Sequence, residues 1–339
     1  MEFVCFGEIM GRLNPEGYGR IVQAKTLEVS YGGGEANVAV SLASFGKRAA
    51  YVTKVPDNEL SRSALQSLKE HNVDVSRVVY GGDRLGLYFI EKGASQRPSK
   101  VIYDRKYSAI SMAEREDFDW RKIFSNAEWF HFTGITPALS DNCAEICLDA
   151  CRVAKELGVT VSCDINFRKN LWSSQKAEQV MSALMPYVDV AIANEEDCEK
   201  VFGIKAEDSD VESGEISTEG YKAVAKKLSE RFHIPTVAIT LRESISANDN
   251  VWSAMLYNHG EYFFSKKYNL HIVDRVGGGD SFGGGLIYAL SEGHDNQYTV
   301  DFAVASSALK HTVEYDFNEV SISEVESLMG GDGSGRVQR

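Results

Sequence analysis

From residue 128 onward the chain repeats one unit: a short, continuously apolar run followed by a stretch of helical period. Strands are predicted at 128–133, 159–164, 188–193 and 236–241, and helices at 141–157, 174–185, 195–202 and 220–232. Gly158 closes the first of these helices, as a C-terminal glycine should. Strands that stay apolar on successive residues, rather than alternating with polar ones, must be covered on both faces. A parallel sheet between two layers of helices satisfies that demand, and few other arrangements do. The N-terminal part carries the same pattern. Strands are expected at 3–7, 49–54 and 75–80, with a helix near 58–71 and another that follows Gly32-Gly33-Gly34 and ends at Gly46. Short strands across 251–265 and helices near 280–291, 298–311 and 321–329 complete the reading.

Two segments break the alternation. Residues 9–31 carry polar-interrupted pieces, Gly11-Arg12-Leu13-Asn14 and Thr26-Leu27-Glu28-Val29-Ser30, that suit exposed antiparallel strands. Residues 84–112 hold Leu85–Ile90 and Val101–Arg105 around a Gly/Ser/Pro loop at 93–99, which suits a hairpin. The segments are distant in sequence but alike in character, so one small sheet outside the main layers is expected. With 339 residues, 43% of them hydrophobic, the chain suffices for a large core. It is expected to form one domain over 1–329, its small sheet drawn from about 9–34 and 84–112, ahead of a flexible tail at 330–339. The loop at 205–219, with six acidic residues, looks like a solvated excursion.

Charge and cysteine usage exclude whole classes. A net charge of −13 argues against a nucleic-acid partner, because phosphate-backbone binding requires clustered Lys and Arg. No apolar run reaches the ~18–20 residues of a membrane span. The N-terminus reads as a strand without a basic region before it, so no signal peptide is expected. The six cysteines include no C-x-x-C pair. Cys143, Cys147 and Cys151 fall on one helical face, where core packing is the expectation. A reduced, cytoplasmic protein fits this usage. The seven histidines show no metal-binding spacing. His131, inside an apolar strand, is expected to be a satisfied core residue. No G-x-S-x-G elbow is present, which removes a common hydrolase route.

The stretch with most chemical content is Asp274-Arg275-Val276-Gly277-Gly278-Gly279-Asp280-Ser281-Phe282. Its glycines permit a close turn, and the helix behind them aims free N–H groups and a positive dipole end at whatever sits in front. An anion site beside a carboxylate is what phosphoryl transfer needs, because positioning and charge stabilisation carry that reaction. Asp280 also fits a plain N-cap, and both roles stand at this point. At sheet ends, where open α/β sheets bind ligands, Asp164, Asn166 and Arg168 follow the strand 159–164. Arg168 could pair bidentately with a carboxylate or phosphate, or with a neighbouring surface acid. Asn194-Glu195-Glu196-Asp197 opens a helix and is read chiefly as a cap.

Gly32-Gly33-Gly34 with Asn37, Asn194-Glu195-Glu196 and Val276–Phe282, in that order along nearly the whole chain, resemble the ribokinase-like (PfkB) carbohydrate kinases. Further runs look closest to the 2-keto-3-deoxygluconate kinases within them. These are Gly86-Leu87-Tyr88, Tyr103-Asp104-Arg105, Thr133–Leu139, Asp164-Ile165-Asn166-Phe167-Arg168 with Leu171-Trp172, and Asp274-Arg275. The resemblance implies a three-layer α/β sandwich with a mostly parallel central sheet and a small β-sheet lid. It implies ATP-dependent phosphorylation of a sugar acid at its terminal hydroxyl, with Mg²⁺ and with a monovalent cation such as K⁺ left open. Asp280 would be the general base, needing no more than an ordinary Asp pKa, and the amides of Gly277, Gly278 and Gly279 the anion hole. Matching positions imply Gly33, Asn37, Tyr88, Tyr103, Arg105, Asn166, Arg168 and Asp316 for the substrate, with Arg105 and Arg168 meeting its carboxylate. On the nucleotide side the positions are Asn194, Thr240, Arg242, Gly277 and Gly279. The usual Thr-Gly-Ala-Gly-Asp is here Val276-Gly277-Gly278-Gly279-Asp280, and the Gly-rich nucleotide strand end is Thr240-Leu241-Arg242-Glu243-Ser244. Fructokinase- or ribokinase-type kinases, nucleoside kinases and a non-catalytic sensor on the same fold compete with this reading. A homo-oligomer through the lid is expected, because sheet edges and apolar strand faces call for cover.

Overall fold

The computed structural model describes residues 2–205 and 218–331. Most of the acidic loop and of the C-terminal tail falls on 206–217 and 332–339, outside the described residues. The chain begins with β1 (Glu2–Phe6), β2 (Met10–Asn14), β3 (Glu28–Gly32) and α1 (Gly34–Ser44). It continues through β4 (Arg48–Val52), β5 (Lys54–Val55), α2 (Glu59–Glu70), β6 (Val79–Tyr80), β7 (Gly86–Glu91) and β8 (Lys100–Asp104). The regular alternation is α3 (Trp120–Ile123), β9 (Trp129–Thr133), α4 (Asp141–Glu156), β10 (Thr160–Asp164), α5 (Ser174–Leu184), β11 (Val190–Asn194) and α6 (Glu195–Phe202). After α7 (Thr218–Phe232) come β12 (Thr236–Ser244), β13 (Asp249–Asn258), β14 (Glu261–Phe264), β15 (Tyr268–His271), α8 (Gly278–Ser291), α9 (Asn296–Lys310) and α10 (Ile322–Met329).

The main sheet runs β4-β1-β9-β10-β11-β12 in parallel. It then turns antiparallel at β13, which pairs with both β14 and β15. Strand residues alternate between two cores. Val4, Phe6, Phe130 and Phe132 pack under the α4–α7 side, whereas Phe3, Cys5, Tyr51 and Ile192 pack against α1, α8 and α9. Each large apolar side chain so buried withdraws ~2 kcal/mol of transfer free energy from water. That is the physical content of the continuous apolar runs. Cys143, Cys147 and Cys151 are buried free thiols of α4, as expected, and the latter two belong to the first core. His131 is buried too, but only half satisfied. Its Nδ1 lies 2.8 Å from Ser162 Oγ while Nε2 has no hydrogen-bond partner, and burial pushes its pKa down to about 3.

The two displaced segments do form one sheet, β3-β2-β7-β8. Its two hairpins are antiparallel, but they join through a parallel β2–β7 pair. The expectation that 9–31 is exposed fails at β2, where Arg12 is fully buried. Its guanidinium meets two carboxylates, so the polar residue that suggested solvent is a paired charge in the interior. The strand expected at 75–80 shrinks to β6, which pairs with β5 instead of joining the main sheet. Asp74 accepts from the Ser76 amide at 2.8 Å, a local turn that competes with extended pairing.

The glycines that follow Asp280 serve packing. A Cβ at Gly284 would overlap Ser41 of α1, and one at Gly285 would come to 3.1 Å from the Ala303 backbone of α9. Glycine inside a helix costs ~0.5–1 kcal/mol relative to alanine. Here it allows α8 to lie against both neighbours, which sets α1 within reach of the α8 N-terminus. Among the described residues no helix is long and apolar enough to cross a membrane.

Candidate active site

A cavity of about 490 Å³ opens where the main-sheet strands end and the small sheet faces them. This is the carboxyl end of the parallel strands, where α/β sheets bind ligands. Glu8 follows β1, Asp164 ends β10, Asn194 ends β11, and Thr240 and Arg242 come from β12. Tyr88 and Tyr103 reach in from the small sheet, with Arg105 just beyond β8. Gly277, Gly279 and Asp280 come from the start of α8. Every residue expected at the site lines this one cavity except Gly278.

The start of α8 corrects two expectations. Its N-cap is Gly277, at φ +82, so Asp280 is the third helical residue and not a cap. Gly278 does not line the cavity. A Cβ there would overlap the His311 ring, and its amide leans on Arg275 O at 3.4 Å. Gly279 by contrast is exposed, with open space beside its Cα. The amides of a helix's first turn have no acceptor within the helix, so this end presents donors to an anion in the cavity.

Asp280 Oδ2 accepts from Asn37 Nδ2 at 2.7 Å, and Asn37 Oδ1 accepts from the Gly33 amide at 3.3 Å. The second bond orients the Asn37 amide so that its NH₂ faces the carboxylate. Burial pushes the Asp280 pKa up to about 6, Asp316 and Glu35 push the same way, and the Asn37 bond and Arg168 oppose them. An ordinary Asp pKa therefore does not describe it, and a carboxylate near 6 is a better-matched base at neutral pH. Asp164 is raised as well, first by burial and then by Asp197 and Asp280. Asn166, at φ +40, donates to Asp164 Oδ2 at 3.3 Å.

The lid side of the cavity is already densely paired. Asp316 accepts from Arg12 Nη1 at 2.7 Å and from Tyr88 Oη at 2.5 Å, while Arg12 Nη2 donates to Asp274 at 2.5 Å. Arg105 is buried and donates through Nε to Glu8 Oε2 at 2.7 Å, with Nη2 on the same oxygen. Its charge is thus met by Glu8 before any ligand arrives. Glu8 Oε1 is buried without a partner, which leaves an acceptor at the cavity wall. Arg168 is exposed, and its guanidinium makes no hydrogen bond or ion pair among the described residues, although its carbonyl accepts from the Leu171 amide at 2.9 Å.

Four residues of this region escaped the sequence reading: Glu8, Arg12, Glu35 and Lys310. Glu8 follows β1 as Asp164 ends β10, so the strand-end rule applied to one would have found the other. Glu35 is a fully buried acid at the start of α1. Its Oε1 accepts from the Thr133 amide at 3.0 Å, Thr133 Oγ1 at 2.8 Å and Thr136 Oγ1 at 2.6 Å, which ties α1 to the end of β9. Its signal was an acid between a glycine turn and an otherwise small, apolar helix. Arg12 and Lys310 had no local signal.

At the end of β11 Asn194 caps α6, accepting from the Asp197 amide at 2.9 Å, while Asp197 accepts from the Asn194 amide at 3.3 Å. The capping reading of that motif holds for these two residues. Thr240 Oγ1 lies 3.5 Å from Ala193 O, and Arg242 is exposed to the cavity. Among the described residues no cluster of three metal-ligating side chains exists. Mg²⁺ commonly takes most of its ligands from phosphate and water, so the free first-turn amides and the cavity acids suit a magnesium nucleotide without such a cluster.

A glycine-led helix end facing a raised carboxylate, under a small β lid, is the arrangement of a sugar kinase. The chain belongs to the pfkB family of carbohydrate kinases, whose profile matches residues 2–318. A solved structure of 2-dehydro-3-deoxygluconokinase from Thermotoga maritima is 51% identical, covers 98% of each chain and superposes with a TM-score of 0.94. The 2-dehydro-3-deoxygalactonokinase of Haloferax volcanii is 33% identical over 335 residues, 98% of each chain. A putative ribokinase II from E. coli, solved in complex with ATP and Mg²⁺, shares the fold at 19% identity, with a TM-score of 0.79 over 97% of this chain.

Proposed function

We propose that this kinase transfers the γ-phosphoryl group of ATP to the terminal hydroxyl of 2-keto-3-deoxygluconate, giving 2-keto-3-deoxy-6-phosphogluconate and ADP. The observation that carries the reading is Asp280, raised to about 6 and held by Asn37 at the mouth of the α8 N-terminus. Asp280 accepts the hydroxyl proton as the O–P bond forms and the bond to ADP breaks. The amides of Gly277 and Gly279 receive the charge on the transferring group. Mg²⁺, when bound with the nucleotide, supplies charge neutralisation on the phosphates. Arg168 and the unengaged Nη1 of Arg105 meet the substrate carboxylate, and Glu8 Oε1 accepts from a sugar hydroxyl. Gly33, Tyr88, Tyr103, Asn166 and Asp316 shape the sugar pocket. Asn194, Thr240 and Arg242 line the nucleotide side.

The names of the relatives favour a keto-deoxy sugar acid, and one of them differs in carrying the galacto configuration. ADP release should therefore be measured with 2-keto-3-deoxygluconate, its galacto epimer, fructose and ribose. A neutral sugar turned over faster than both acids overturns the acid reading. An Asp280→Ala variant with near wild-type turnover overturns the base assignment. The lid carries Val29 and Ile102 exposed and outside the cavity lining, which supports a homo-oligomer built through the lid. Light scattering of the wild type and of Ile102→Asp tests it, and a wild-type monomer would refute it.

A further inference from the structure

Beneath the anion hole, on the side away from the cavity, lies a buried ammonium that the chemistry above does not use. Lys310 is the last residue of α9, and its side chain is fully buried. Its Nζ donates to Tyr315 O at 2.5 Å and to Val313 O at 3.4 Å. The turn that presents these carbonyls holds Tyr315 at φ +63, a left-handed conformation that costs a non-glycine residue ~1–2 kcal/mol. Burial lowers the Lys310 pKa to about 8, against the pull of Asp274 and Asp316, so the ammonium persists at neutral pH.

The same turn touches the hole. A Cβ on Gly277 would fall on Asp316 O and would come to 3.2 Å from Lys310 Cε, so glycine is required there by contact as well as by its φ. His311 O accepts from the Val273 amide at 2.8 Å, and Ser307 Oγ donates to Gly278 O at 2.7 Å. The C-terminal end of α9 therefore grips the segment that leads into α8. Main-chain carbonyls flanked by carboxylates are the oxygen-rich surroundings that suit a hard cation. In this chain a compact point charge on a flexible stem lies against those carbonyls.

We propose that the Lys310 ammonium acts as a tethered monovalent cation, a positioning residue that holds the 313–316 turn against Gly277 and makes added K⁺ or Na⁺ unnecessary for phosphoryl transfer. The proposal rests on the reading of Gly277 and Gly279 as the anion hole. The test uses the full chain with MgATP, 2-keto-3-deoxygluconate and tetramethylammonium as the only monovalent cation, then KCl or NaCl at matched ionic strength. Wild-type turnover is expected to be unchanged by the exchange. A Lys310→Met variant that keeps a cooperative melting transition is expected to lose about 100-fold in kcat, the scale of a disturbed oxyanion donor, with little change in KM for the sugar acid. Excess K⁺ or NH₄⁺, but not tetramethylammonium, should restore part of that loss.

Stimulation of the wild type by K⁺ overturns the proposal, and that measurement stands even where the variant does not fold. A folded Lys310→Met with near wild-type kcat, or one that small cations do not rescue, also overturns it. Failure of the anion-hole reading itself appears elsewhere, as an Asp280→Ala variant that retains turnover.

Discussion

The lid side of the cavity and its open rim treat their arginines in opposite ways. Arg12 and Arg105 are buried and bound to Asp274, Asp316 and Glu8, whereas Arg168 and Arg242 are exposed. Removing a charge from water costs several kcal/mol unless a partner is in place, so a buried guanidinium must be neutralised when the protein folds. An exposed one keeps its water until an anionic ligand displaces it. The first pair holds the lid on the core, and the second stays exposed at the cavity. An arginine in a motif can belong to either set, and burial decides which.

Asp280 lies at the seam between the two regions, and the largest effect is expected there. Asp280→Asn should lower kcat about 10³-fold, within the range of a lost general base. Its raised pKa adds a pH signature. In the wild type kcat/KM should fall as pH drops through about 6, where the base takes up its proton. For stability the sign runs the other way. A carboxyl raised above its unfolded value of ~3.9 favours the fold when protonated, and that contribution is lost as pH rises through about 6. Asp280→Asn should therefore melt above the wild type at pH 8, with the gap closing near pH 4. Calorimetry at both pH values checks it, and a gap independent of pH would remove the buried-carboxylate account.

Arg12→Met should cost about 3 kcal/mol in urea unfolding, because it removes the guanidinium that neutralises two buried carboxylates and leaves Asp274 with Lys92 Nζ at 3.7 Å and Asp316 with the neutral Tyr88 hydroxyl. A loss below ~1 kcal/mol, the scale of a surface pair, would break the contrast between the two sets. Arg168→Ala should raise KM for the sugar acid about 30-fold while leaving a neutral sugar unaffected, as loss of a charged contact predicts. Equal effects on both sugars would place Arg168 with the nucleotide. Arg242→Ala should have the smallest effect, about threefold on KM for ATP, since an exposed cation is screened. A larger effect on the sugar acid would move Arg242 to the substrate side.

Much of this was legible from local pattern. The apolar runs at 128–133, 159–164 and 188–193 are β9, β10 and β11 within two residues at either end, because burial on both faces leaves the same mark whatever the neighbouring strand. The two odd segments were recognisable as one sheet because they shared a departure from that pattern. The reading erred where a residue's chemistry depends on what it meets. Arg12 was taken as a solvent signal, yet its partners lie 262 and 304 positions away. Asp280 was given an ordinary acidity, and its environment is set by Asn37, 243 positions away, together with Asp316 and Glu35. Gly278 was grouped with Gly277 and Gly279, yet it does not line the cavity, and the His311 ring lies where its Cβ would be.

The sequence by itself determined the layers, the Gly-rich helix start behind an acid, and the family to which the chain belongs. Periodicity, propensity and motif are properties of neighbouring residues. Only the tertiary structure decided which charges are spent on one another and which face a ligand. Pairing and burial act across space, through distances of about 3 Å that separate residues hundreds of positions apart.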